Sequence, residues 1–156
     1  MTSRVGLGFD VHPFTEDSGR SLVLGGVTLE GRGLAGHSDA DALAHAIADA
    51  LLGAAGLGDL GGHFPDTDPA YAGADSMGLL AQIVQEITGS WLIANVDATV
   101  ILEVPKLAPY RVEIERRLSE VVGAPVSVKA KRAEALGAIG RREGIAALAV
   151  ALIESR

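Results

Sequence analysis

The sequence predicts an α+β domain in which helices cover one face of a mixed β-sheet, and three observations lead there. The apolar pattern switches repeatedly between a period near two and a period near 3.6, as strands alternating with helices require. The 156 residues suit one domain with a core of its own. No repeat, linker or low-complexity tract divides the chain, so residues 1–156 are read as a single unit.

Each element has its own signal. Arg4 to Val11 and Ser21 to Leu29 read as strands, and the polar turn residues of Pro13 to Arg20 would join them as a hairpin or neighbouring pair. Gly25-Gly26 inside the second run suggests a bulge. Ser38 or Asp39 is placed to cap a helix to about Leu52, with Leu43, Ala46, Ile47, Ala50 and Leu51 as its apolar face. On that helix Asp41, His45 and Asp49 recur at every fourth position as a polar stripe. Gly56 to Pro69 is too rich in glycine, proline and aspartate for regular structure and reads as a loop. Asp75 or Ser76 opens a second helix to about Thr88. From Leu92 to Glu103 a strand alternates Val96, Ala98, Val100 and Leu102 against Asn95, Asp97 and Thr99. A third helix fits Ala108 to Val122. Val126 to Lys131 and Gly144 to Ile153 read as two closing strands, although the second is alanine-rich enough to be helical on propensity alone.

Composition narrows the function classes. A net charge of -7 argues against a nucleic-acid or anionic-membrane partner, since both call for a basic face. Without cysteine, disulfides and thiolate ligands are excluded. The N-terminal residues Met1 to Gly6 lack the apolar run of a signal peptide, and the run from Ile145 to Ile153 is too short to span a bilayer, so a cytoplasmic protein is expected.

Three of the four histidines fall in two polar clusters, Asp10-Val11-His12 and His37-Ser38-Asp39-Ala40-Asp41, with His45 four residues further on. Alternation along a strand points Asp10 and His12 the same way, so both can bind one ion. With His45 they make a carboxylate and two imidazoles, a set suited to Zn²⁺ with an open coordination position, and also to other divalent transition metals. Plainer readings stand beside this one. His45, Asp41 and Asp49 could be solvated polar residues, His37 a loop donor, and Asp66 and Asp68 turn formers beside Pro65 and Pro69. Gly6-Leu7-Gly8 is no dinucleotide fingerprint, because the third glycine is missing at Val11.

Longer matches run through the chain in order: Gly6-Leu7-Gly8-Phe9-Asp10-Val11-His12, then His37 to Asp41 with His45 and Asp49 to Ala54, then Gly58-Asp59-Leu60-Gly61 leading into Phe64-Pro65-Asp66-Thr67-Asp68-Pro69. Shorter ones follow at Asn95-Val96-Asp97, Pro105-Lys106, Val128-Lys129-Ala130 and Arg142 to Ala146. On these residues the chain resembles the 2-C-methyl-D-erythritol 2,4-cyclodiphosphate synthase family of the non-mevalonate isoprenoid pathway.

The resemblance implies a reaction in which the 2-phosphate of a cytidine diphosphate ester, 4-diphosphocytidyl-2-C-methyl-D-erythritol 2-phosphate, attacks the β-phosphorus, closes a cyclic diphosphate and expels CMP. It implies Zn²⁺ on Asp10, His12 and His45, and a second divalent ion, Mg²⁺ or Mn²⁺, near Glu134. His37 and Ser38 would contact phosphate, with His37 stabilising the transition state. Asp59, Leu60 and Gly61 would hold the erythritol part, and Phe64, Pro65, Asp66, Thr67 and Asp68 would close over it. Lys106, Lys131, Arg132, Ala133 and Glu134 would form the cytidine and phosphate side, and Arg141 would contact phosphate. The resemblance also implies a homotrimer whose sites lie between subunits.

Two residues depart from the family pattern. Arg132 stands where a threonine credited with transition-state stabilisation is usual; an arginine can bind phosphate with two bonds but is no isostere of a hydroxyl. Ala138 stands where an aromatic residue is frequent. They motivate an alternative, a non-catalytic metal-binding trimer that holds nucleotide or isoprenoid phosphates. A third reading is a phosphohydrolase using metal-bound water.

Overall fold

The computed structural model describes residues 1–156 as a four-stranded mixed sheet with its helices on one face. In chain order the elements are β1 (Ser3–Pro13), β2 (Leu22–Leu24), β3 (Val27–Leu29), α1 (Ala42–Ala55), α2 (Leu60–His63), a 3-10 turn (Pro69–Tyr71), α3 (Ser76–Thr88), β4 (Trp91–Ile101), α4 (Arg111–Val122), β5 (Val126–Lys131), α5 (Gly137–Gly140) and β6 (Gly144–Ser155). The sheet order is β1-β6-β4-β5, antiparallel except for the β4–β5 pair.

The expected pairing of the first two runs is not found. β1 pairs along its whole length with β6, from Ser3 opposite Glu154 to Pro13 opposite Gly144. β6 is therefore a central strand rather than a closing one, because its length matches both β1 and β4. The run from Ser21 to Leu29 folds on itself instead, as the separate β2–β3 hairpin. Gly25 and Gly26 are its two-residue turn, with φ of 58° and 72°, the conformation that glycine adopts most readily and that matches strand twist. They are not a bulge.

α1 also starts later than expected. Ser38 accepts from the Ala40 backbone N–H and Asp39 from that of Asp41, so both spend their side chains on local turns. Asp41 becomes the cap, accepting from the Ala44 N–H at 3.0 Å. The stretch 56–69, expected to be irregular, contains the single turn α2, capped by Asp59 through the Gly62 N–H at 2.8 Å. α3, β4 and β5 lie where the periodicity puts them, α4 ends at Val122 as expected but begins at Arg111 rather than Ala108, and Val96, Ala98, Val100 and Leu102 are buried as the alternation requires.

α1 is the core helix. Leu43, Ile47 and Leu51 are fully buried, and each contributes roughly 1.5–3 kcal/mol on burial. The many alanines let the sheet approach closely, and Gly6 and Gly8 of β1 complete that contact. A Cβ on Gly8 would sit 1.8 Å from the Ala46 carbonyl oxygen, and one on Gly6 1.9 Å from that of Ala50. The Gly-Leu-Gly run is thus a packing device that seats β1 on α1.

Candidate active site and metal centre

That seat brings His45 of α1 against the end of β1. Asp10 Oδ2 lies 2.8 Å from His12 Nε2 and 3.0 Å from His45 Nδ1, and those two ring nitrogens are 3.4 Å apart. Three potential ligand atoms therefore converge on one point from two elements. Each ring's other nitrogen is engaged behind it. His12 Nδ1 donates to the Ala35 carbonyl at 2.8 Å, and His45 Nε2 donates to Ser76 Oγ at 2.8 Å, with Ser38 Oγ at 3.2 Å. Ser76 Oγ–H in turn donates to the Asp39 carboxylate. With each far nitrogen engaged in this way, it is the near nitrogen of each ring that faces the shared point, as a metal-binding imidazole requires.

Electrostatics fit the same occupant. Burial pushes the Asp10 carboxyl up, yet hydrogen bonds to His12 and His45 outweigh it and hold the group below its ordinary 3.8. Burial lowers His12, and its bond to Asp10 more than restores it, leaving it above 6.5. Asp10 is thus built to be ionised beside positive charge, and a divalent cation among the three would supply that charge while displacing the imidazole proton.

The three residues form one wall of a 460 Å³ cavity whose lining includes His37, Ser38, Leu60, Gly61, Phe64, Pro65 and Asp66. His37 Nε2 is 3.0 Å from the Asp68 carbonyl and ties its loop to the stretch that covers the cavity. Asp59, Thr67 and Asp68 belong to the same covering stretch but do not line the cavity; Asp59 caps α2, and Asp68 accepts from the Ala70 N–H.

The other expected residues lie elsewhere in the chain. Lys106, Lys131 and Arg132 line a separate 200 Å³ depression with Leu102, Glu103 and Ala130. Beside it, Glu103 accepts from the Ala133 backbone N–H at 2.7 Å. Glu134 is exposed, with φ of 54°, and Arg141 is paired with Glu143 at 2.6 Å. None of these six lines the metal cavity.

The polar stripe of α1 faces inward. Asp41 is fully buried and accepts from Gly25, Gly26 and Ala44 N–H groups at 2.8–3.0 Å, which locks the β2–β3 turn onto the helix. Burial pushes its carboxyl up to about 6 despite those three donors. Asp49 accepts from the Leu60 N–H at 2.7 Å and anchors α2; burial raises it as well. Residues missed from the sequence include Ser76, Asp39, Gly36, Tyr71 and Leu79. Of these, Asp39 stood in the His37 to Asp41 cluster and Ser76 beside the Asp75 cap, and the other three had no local signal.

Comparison with known proteins bears on this arrangement. The YgbB family model matches residues 3–154. The chain is 56% identical to the 2-C-methyl-D-erythritol 2,4-cyclodiphosphate synthase of Ralstonia pickettii strain 12J, covering 98% of this chain and 93% of that one. Among solved structures it is similar to the bifunctional IspDF of Campylobacter jejuni, with TM-score 0.94 and 39% identity over 99% of this chain and 43% of that one. It is also similar to the Plasmodium falciparum IspF CDP complex, with TM-score 0.86 and 34% identity over 99% and 97% of the two chains.

Proposed function

This chain belongs to the YgbB family, and we infer that it is a cyclising, CMP-releasing lyase that makes 2-C-methyl-D-erythritol 2,4-cyclodiphosphate for isoprenoid precursor synthesis. Its substrate on this reading is 4-diphosphocytidyl-2-C-methyl-D-erythritol 2-phosphate. The observation that carries the reading is the convergence of Asp10, His12 and His45 on the wall of a cavity that also presents His37, Ser38 and the Leu60–Asp66 stretch.

In the proposed step a 2-phosphate oxygen bonds to the β-phosphorus while the bond from that phosphorus to the bridging oxygen breaks, and CMP leaves with the electron pair. The nucleophile is part of the substrate, so the protein needs no serine, cysteine or activated water. Its work is to position the reacting groups and offset their charge. His37 and Ser38 donate toward the phosphates, Gly61 and Asp59 hold the erythritol hydroxyls, and Phe64 to Asp68 exclude water. Zn²⁺ on Asp10, His12 and His45, and Mg²⁺ or Mn²⁺ near Glu134, would supply Lewis acidity and neutralise diphosphate charge when bound.

Lys106, Lys131, Arg132, Ala133, Glu134 and Arg141 act, on this proposal, from a neighbouring subunit of a homotrimer. An unpartnered apolar sheet face supports such assembly: Val5, Leu7, Phe9 and Val11 of β1 and Val150 of β6 are each 43–67% exposed. We read the enzyme as cytoplasmic, and no helix is long and apolar enough to cross a membrane.

Phosphorus NMR of purified protein, substrate and divalent metal tests the function. The expected products are CMP and a cyclic diphosphate, with none after chelation. Metal-bound protein that gives neither would favour the non-catalytic trimer, and linear products with free phosphate would favour the phosphohydrolase.

A further inference from the structure

Arg20 lies half-buried in the loop between β1 and β2, and its side chain has no carboxylate partner. Its guanidinium donates only to main-chain carbonyls: Leu34 at 3.5 Å, Gly36 at 3.1 and 2.9 Å from two nitrogens, and Ser38. Three carbonyls of one five-residue segment thus turn toward a single cation. Carbonyl dipoles gathered in this way repel one another, and the planar fork of an arginine can answer all of them at once.

The clamped segment touches the reaction centre at four consecutive residues, Ala35 to Ser38. The Ala35 carbonyl accepts from His12 Nδ1, Ser38 Oγ faces His45 Nε2, and His37 projects into the cavity. Gly36 passes so close that a Cβ there would lie 3.0 Å from His12 Cε1 and Nδ1. A shift of the segment would therefore move the partners of both imidazoles together with His37.

We propose that Arg20 is a positioning residue for the metal centre: it holds the 34–38 backbone so that His12 and His45 keep their ligating orientation and His37 its place. Arg20 itself does not line the cavity. The proposal rests on the metal-dependent reading above.

The test measures zinc affinity by competition with a chromophoric chelator, together with steady-state kinetics at saturating zinc, for Arg20→Gln and Arg20→Lys. Arg32→Ala serves as a control, since Arg32 lies nearby but bonds Glu16 and Thr15 instead. Arg20→Gln is expected to weaken zinc about tenfold, the lower end for partners behind the ligands, and to lower kcat severalfold even when zinc is saturating. Arg20→Lys, which keeps charge without the fork, should fall between, and free guanidinium should restore part of the Arg20→Gln loss. Arg32→Ala should match wild type in zinc affinity. Variants with lower melting temperature but wild-type zinc affinity and kcat would overturn the proposal, as would an Arg20→Lys indistinguishable from wild type should Arg20→Gln fail to fold. If wild-type protein makes no cyclic product, the functional reading fails, while the zinc affinities still judge Arg20.

Discussion

Around Asp10, His12 and His45 each ring's second nitrogen is held from inside the chain, whereas Lys106, Lys131, Arg132 and Glu134 stand at the surface with no hydrogen bond from their side chains. The first region is assembled by a strand and a helix in tight backbone contact, and the second by the exposed end of β5 and the loops beside it. A metal centre tolerates little slack, and these three candidate ligands sit on regular elements whose separation is fixed by Gly6, Gly8 and the alanines of α1. A nucleotide half-site can stay open, on the proposed reading, because a neighbouring subunit completes it.

Overpacking the strand–helix contact should break this contrast most severely. Gly8→Ala drives a methyl into the Ala46 carbonyl, and a loss of about 3 kcal/mol or more in urea unfolding, with weakened zinc binding, is expected. A variant as stable as wild type would show that the close approach is not structural.

Next in size comes Asp41→Asn. Replacing a carboxylate that accepts three N–H bonds by an amide leaves one donor facing another, at a cost of about 1–3 kcal/mol. The pH dependence has a defined sign. The folded-state carboxyl titrates at about 6, above its ordinary 3.8, so between those values the folded protein binds more protons than the unfolded one, and this group's contribution to stability falls as pH rises. Wild-type stability relative to Asp41→Asn should therefore decline across that window. A difference that is flat or grows with pH would refute the assignment.

Ser76→Ala removes the acceptor behind His45 and should weaken zinc about tenfold with little change in metal-free stability. Equal zinc binding by variant and wild type would show that Ser38 alone suffices. The smallest effect belongs to the open half: Arg132→Thr should leave stability within about 0.5 kcal/mol, since the side chain is exposed, and should register in kinetics instead. A large stability loss there would erase the distinction between the two regions.

How legible these regions were in the sequence follows the same division. Asp10, His12 and His45 could be read because strand alternation and local spacing place them, and α3, β4, α4 and β5 because their periodicity is strong. The inward turn of Asp41 and Asp49 could not, since a four-residue polar spacing looks the same on a solvated face as on one that satisfies buried backbone N–H groups. Pairing of β1 with β6 escaped as well, because it joins the two ends of the chain and has no local signal, whereas Gly25-Gly26 marked a turn that bulge chemistry imitates. Ser76, Tyr71 and Leu79 reach the site only through tertiary packing. The roles of Lys106, Lys131, Arg132 and Glu134 come from resemblance, and their distance from the metal cavity is what a site shared between subunits would require.

Complementation tests the proposed sharing between subunits directly. Asp10→Asn spoils the metal half and Glu134→Gln the opposite half, and each alone should be inactive while remaining folded. If the proposed trimer forms, random mixing of the two co-expressed in equal amounts would pair an intact metal half with an intact neighbouring half at about a quarter of the sites, so about a quarter of wild-type specific activity should return. Mixed trimers with no more activity than the two variants measured separately would contradict the account.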